Sequence, residues 1–288
     1  MLTIGGLLFL LACVFGTYIA SGGNIGVLAE ALPFEFVSIG GAATATLVMA
    51  NSMHDVKHTL SGFGKAIKGA IFTKADYIEL LSLLFFFAKL AASKGPMALE
   101  AHIEKPDDSK AFQKYPKILA NHHVVAMICD YLRMVGMNAD DPYQIEDVMA
   151  REIKKTLAEE LHGAHALQTV ADSLPALGIV AAVLGVVKTM SHINDPPAVL
   201  GQMIGGALVG TFLGVLLSYG LAAPIAARLK GVVEEEGKYY EVIRAVLVAH
   251  LHGNAPQISV ETGRKMVPNQ HMPSFQELEE VLQSIQVN

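Results

Sequence analysis

The chain has 288 residues, 52% of them hydrophobic and 17% charged, with a mean hydropathy of +0.42 and a formal net charge of −6. A soluble domain carries about 25% charged residues, so the composition speaks against an ordinary soluble fold, and the acidic balance speaks against a nucleic-acid partner. The two cysteines, Cys13 in an apolar run and Cys129 in a polar region, form neither a disulfide framework nor a metal quartet.

Four apolar runs stand out, at about 1–20, 34–51, 172–190 and 200–227. Each approaches the ~20 residues needed to cross about 30 Å of hydrocarbon. The first lacks a basic start and reads as a membrane helix rather than a signal peptide. Lys and Arg are absent between runs one and two and, after Lys188, between runs three and four. They crowd from Lys57 to Lys155 and from Arg228 to Lys265. The positive-inside rule therefore puts both large polar parts and both termini in the cytoplasm. The expected fold is all-α: a polytopic membrane protein with four transmembrane helices and a helical cytoplasmic domain. It divides into 1–51 (helices one and two), 52–170 (cytoplasmic), 171–227 (helices three and four) and 228–288 (cytoplasmic C-terminal helices).

After the second run, Val56, Leu60, Phe63 and Ile67 recur at helical spacing, as in a helix on the membrane surface or packed in the cytoplasm. A second helix follows and ends at Gly95. Its apolar stretch 80–90 is too short and too flanked by charge to be a confident span. "KPDDSKAFQKYP" marks a break. Helices are expected from about Lys117 to Val135 and from about Pro142 to Val170, the latter running on into the third span. Another continues after Pro224 to about Leu251 and stops at Gly253. A last one opens on Ser274 and Glu277, which fit a capping box.

No Walker motif is present, so ATP use is unsupported. His122–His123 and the pair His162/His165 invite a metal, but no third ligand lies nearby in sequence. No metal site and no cofactor are expected. The spans say more. Gly206, Gly210 and Gly214 are spaced by four and form a small-residue stripe on the fourth. Gly178, Ala182 and Gly185 do the same on the third. Such stripes let helices approach closely; four spans supply some of these contacts and several copies packed together supply the rest. Glu35, Asp172 and Lys188 sit at span ends, leaving no central ionisable group and Thr211 as the chief hydroxyl at depth. Thr211 is expected to bond back to the Ala207 carbonyl. An acid for ion movement would then come from another chain. Pro224 removes the bond to Gly220 and favours a kink. Pro175 reads as a start signal in a first helical turn after Asp172 or Ser173.

These residues resemble a family. "DSLPALGIVAAVLGVV" (172–187) and "ALVGTFLGVLLSYGLAAP" (207–224) are similar to the third and fourth membrane helices of the flagellar motor stator A subunits, the MotA/PomA family. "HGNAPQISVETGRK" and "MPSFQELEE" are similar to that family's tail. The resemblance implies an ion-driven torque generator of the bacterial inner membrane, without covalent catalysis. It implies a homopentamer around two copies of a MotB-like B subunit, whose single membrane helix carries the ion-binding aspartate. Pro175, Pro224 and Thr211 would sit beside that acid. A threonine, usual in sodium-driven relatives, is replaced at the aligned position by Ala182, which favours the proton. Contact with the rotor protein FliG would fall to Lys94, Glu100 and Glu152, with Lys94 near a position where the family carries arginine. An energiser of the ExbB/TolQ type is the alternative, but those usually have three spans, and the extra hairpin 1–51 favours the flagellar class.

Overall fold

The computed structural model describes residues 2–136 and 141–286. Among the described residues there are helices and turns and no strands. The longer helices are α1 (Leu2–Ala20), α2 (Ile25–Ala50), α3 (Met53–Lys68), α4 (Lys74–Lys94), α5 (His122–Gly136), α6 (Pro142–Met190), α7 (Pro197–Leu217), α8 (Ala223–Leu251), α9 (Pro256–Met266) and α10 (Phe275–Gln283). A π-helical turn, Ser218–Ala222, joins α7 to α8. The chain falls into two compact units, Met1–Gly69 with Glu159–Val233, and Ala70–Ala158 with Glu234–Asn288.

The first unit holds the apolar helices. Four helical stretches are long and apolar enough to cross a membrane, as expected: Thr3–Ala20, Ile25–Ala50, and stretches within Pro142–Met190 and Pro197–Leu251. Large apolar side chains such as Phe9, Phe34, Val37 and Leu208 are exposed on them, as a hydrocarbon surround requires. The second span is longer than its apolar run. It starts at Ile25, where the Asn24 side chain accepts from the Gly26 N–H at 2.9 Å. Glu30, Pro33 and Glu35 interrupt the hydropathy but not the helix. The expectation of a span without an internal ionisable group is thereby corrected. Glu35 lies ten residues beyond Ile25, about 15 Å along the axis at 1.5 Å per residue.

A further correction concerns a proline. Pro175 does not open a helix; it sits inside the 49-residue α6. As expected, α6 passes without a break from the helix starting at Pro142 into the third apolar run. At the other proline, the N–H of Ala223 bonds back five residues to the Ser218 carbonyl. This wide turn lies just before Pro224, which has no N–H to donate.

Helix α3 shares both expected characters. Thr59, Gly62 and Ala66 are buried, and a Cβ on Gly62 would come within 2.5 Å of Leu229, while Met53, Leu60 and Ile67 remain exposed. Ser52 and Asp55 cap its start reciprocally.

In the second unit α4 is the central helix. Its apolar stretch is core, with Tyr77, Leu80, Leu81, Leu83, Leu84 and Phe87 fully buried among side chains of α5, α8, α9 and α10. A helix apolar on all sides has to be enclosed on all sides. Asp76 is buried at its start. Thr73 donates to Asp76 through its N–H at 2.8 Å and its hydroxyl at 2.6 Å, and Lys117 Nζ lies 2.8 Å from the other carboxylate oxygen. The expected helix 117–135 is interrupted: a short turn, Pro116–Leu119, comes first, and Asn121 caps α5 by accepting from the Val124 N–H at 3.3 Å. The capping box at Ser274 and Glu277 forms as expected.

Candidate functional site

The site is assembled where α2, α6 and α7 meet in the first unit. Glycine decides how closely they meet. A Cβ on Gly214 would stand 2.6 Å from the Leu174 carbonyl oxygen and 2.8 Å from the Gly178 Cα; one on Gly178 would stand 2.8 Å from the Gly210 carbonyl oxygen. The backbones of α6 and α7 therefore touch, and no larger residue fits. Gly185 meets Ala207 in the same way. Gly206 instead faces α2, with the nearest atom the Ala31 Cβ at 3.8 Å. Gly210 lies between both neighbours: a Cβ there would be 3.0 Å from Glu35 Oε2 on α2 and 3.2 Å from the Ala182 nitrogen on α6.

That places Glu35, Gly210 and the Ala181 methyl, 3.1 Å from the same point, together, with the Ala182 backbone nitrogen beside them and Thr211 the next residue along α7. Thr211 does not behave as its sequence suggests. Thr44, Thr46 and Thr189 each donate to the carbonyl four residues earlier, at 2.8, 3.0 and 2.9 Å. Among the described residues Thr211 makes no such bond, and its hydroxyl stays available. The Glu35 carboxylate likewise has no hydrogen-bond or ion-pair partner among the described residues. It lines a cavity of about 320 Å³ with Glu30, Lys188, Thr189, Gln202 and Gly206. At the mouth of that cavity Gln202 Nε2 donates to Glu30 Oε2 at 2.7 Å.

The two prolines are linked through a residue the sequence did not single out. Proline at 175 has no N–H to offer the carbonyl of Ala171. Ser218, the first residue of the π-turn, donates its hydroxyl to that carbonyl at 2.6 Å, and both groups are buried. The break at Pro175 in α6 is thus closed by the irregular turn ahead of Pro224. Nothing in a linear pattern announces this, because the partners are 47 residues apart. Glu35 was detectable: an acid eleven residues past an Asn cap is inside the helix.

The residues expected to meet a rotor lie in the second unit. Lys94, in the last turn of α4, and Glu100, opening a short turn, are both exposed. Glu152 is half-buried and accepts a short hydrogen bond from the Tyr131 hydroxyl, so it is a held charge rather than a free one. Burial first, and then Glu152, push the Tyr131 phenol above its usual range. A further cation stands exposed nearby in the fold: Arg133 reaches Glu104 at 3.0 Å and Asp130 at 2.9 Å. Of the histidines weighed for metal, His162 lies 3.3 Å from Asp55 and His123 packs edge-on to the Tyr240 ring.

Comparison with known proteins covers this whole arrangement. The family model described as Motility protein A N-terminal matches residues 4–95, and that of the MotA/TolQ/ExbB proton channel family matches residues 118–242. The chain is 39% identical over 285 residues to Motility protein A of Escherichia coli, covering 99% of this chain and 96% of that protein. It is 34% identical over 277 residues to chemotaxis protein LafT of Vibrio parahaemolyticus, covering 96% of each. Among solved structures, the flagellar MotAB stator complex from Bacillus subtilis superposes with a TM-score of 0.68 at 25% identity, covering 96% of this chain and 97% of that one. The C. jejuni MotAB structure has a TM-score of 0.75 at 18% identity, covering 95% and 98%, and speaks to the fold. With both halves matched by these models and a relative that aligns nearly end to end, the chain belongs to the motility protein A family, the multi-pass subunits of the flagellar motor stator.

Proposed function

We propose that this stator subunit is driven by protons, and that it works as a homopentamer around two copies of a MotB-like subunit in the inner membrane. Both termini lie in the cytoplasm, where Lys94, Glu100 and Glu152 act on the rotor protein FliG. The observation that carries the ion assignment is Ala182. Its backbone nitrogen lies against Gly210, where the Ala181 methyl also packs, and its own side chain is a methyl group with no oxygen to offer a cation. A dehydrated alkali cation needs several oxygen ligands, whereas a proton needs one acceptor. The B partner is supported by the titles of the two stator complexes that the chain resembles. Assembly of several copies is supported by the bare apolar residues on α6 and on the π-turn, among them Ile179, Val183 and Tyr219. The cytoplasmic placement is supported by the Lys and Arg distribution.

The test is tethered-cell rotation in sodium-free medium, with and without a protonophore. Rotation is expected to persist without sodium and to stop when the proton gradient collapses. Rotation that stops without sodium and survives the protonophore assigns the motor to sodium instead.

A further inference from the structure

We propose that Glu35 is a proton-carrying residue of the path, supplied by this chain itself: its carboxylate takes a proton from the cavity it lines and hands it on at the level of Thr211. The proposal rests on the reading of the protein as a proton-driven stator subunit.

Three observations meet at this one side chain. The first is depth. Glu35 lies well inside α2 rather than at its end, and the residue it touches, Gly210, is thirteen residues into α7, about 20 Å from that helix's start. Both positions lie inside helices long and apolar enough to cross the ~30 Å of hydrocarbon. The second is the fit. A Cβ at residue 210 would stand 3.0 Å from Oε2, so the carboxylate packs closely against this glycine. The third is the lack of a partner. An ionisable group within a membrane span pairs with another group or faces water. Among the described residues Glu35 has no hydrogen-bond or ion-pair partner, and it opens onto the 320 Å³ cavity. Glu30, by contrast, is held by Gln202 at 2.7 Å.

The charged groups that face Glu35 across the cavity are Glu30 on its own helix and Lys188 on α6. Helix α7 contributes the neutral Gln202. Glu35 is a carboxyl group open to that cavity, and it packs against Gly210, the residue before Thr211 on α7. The step balances as a simple relay. A hydronium ion in the cavity gives its proton to one carboxylate oxygen and leaves as water; the carboxyl O–H then passes that proton to a second water molecule at the level of Thr211, which becomes hydronium, and the carboxylate is restored. No bond other than O–H forms or breaks.

The experiment uses the complex with its B subunit, reconstituted in vesicles with the plug removed. Proton influx is read with a trapped pH dye and sodium influx with a radioactive tracer. Glu35→Gln is expected to assemble with the B subunit and to lower proton influx by at least about tenfold, since proton transfer through a positioned group contributes on the order of a hundredfold. Glu35→Asp keeps an acid there and is expected to retain most of the influx with a displaced pH profile. Glu30→Gln is expected to lower influx less than Glu35→Gln. Unaltered influx and pH profile in Glu35→Gln would overturn the proposal while leaving the stator reading intact. Wild-type influx of sodium and not of protons would overturn the proton reading itself. If Glu35→Gln fails to assemble, Glu35→Asp decides: a displaced pH profile supports the relay, and an unchanged one removes it.

Discussion

Ser218 shows how one hydroxyl closes a gap that proline opens. Its bond to the Ala171 carbonyl is buried, so removing it leaves an acceptor without a donor, which costs about 1–3 kcal/mol. Ser218→Ala is expected to lower the melting temperature of the complex in detergent and to slow swimming, whereas Ser218→Thr, which keeps the hydroxyl, is expected to rescue part of both. Equal melting and speed in the alanine variant would mean that the carbonyl finds another donor. In the second unit Asp76 plays a comparable part. Burial alone would raise its carboxyl, but the bonds from Lys117 and Thr73 outweigh that and hold it below the ordinary 3.8. Its folded pKa is therefore depressed. The stability it contributes is complete above 3.8 and is lost as pH falls through the lowered value. Asp76→Asn is expected to melt lower at neutral pH and to lose less on acidification below about pH 4 than the wild type. Neither residue was legible as a partner in the sequence, since Ser218, Ala171 and Lys117 find their mates through the fold and not through spacing.

At the scale of helices, hydropathy told most of the story. Each of the four apolar runs falls on a helix long enough to span, although the second helix starts well before its run, and the run-on of α6 into the third span follows from the absence of any stop signal between 142 and 170. The start of α2 was missed because Glu30, Pro33 and Glu35 dilute the hydropathy that marks a span, while the actual start signal is a single capping residue, Asn24. The stretch 80–90 was ambiguous for the opposite reason: a fully enclosed core helix and a short span have the same composition. The glycine stripes were legible as close contacts but not as to partner. Gly178 and Gly214 meet each other within one chain. Gly178→Leu is accordingly expected to disrupt the subunit itself, seen as loss of the folded protein from membranes, and to be more severe than Gly206→Ala, whose nearest neighbour is 3.8 Å away. A Gly178→Leu protein that accumulates normally and fails only to bind the B subunit would place that contact between chains instead.

For the whole molecule, the charge distribution predicts the path of the chain. Cysteines introduced at Gly23 and Asp195 are expected to react with an impermeant reagent in intact cells, and one at Lys110 is not. Labelling at Lys110 would overturn the four-span topology. Glu100 is exposed at the opening of its turn, and surface charges of this kind steer encounter more than they bind. Glu100→Lys is expected to reduce swimming while proton influx through the unplugged complex survives; unchanged swimming would remove the charge from the torque step. Glu152, tied to Tyr131, is expected to matter through the shape of the second unit as well.

The π-turn at 218–222 also sets the phase of one long rod against itself. A regular helix advances 100° per residue at 3.6 residues per turn, and the wide turn inserts one residue's worth of lag between α7 and α8. Deleting a single residue there, Gly220 for instance, would regularise the rod and swing the face carrying Gly210 and Thr211 by about that angle relative to everything after Pro224. The glycine contacts would then point away from α6, with every side chain of the site still present. The irregular turn thus acts as a register mark, and its length is as much a part of the site as the residues that line it.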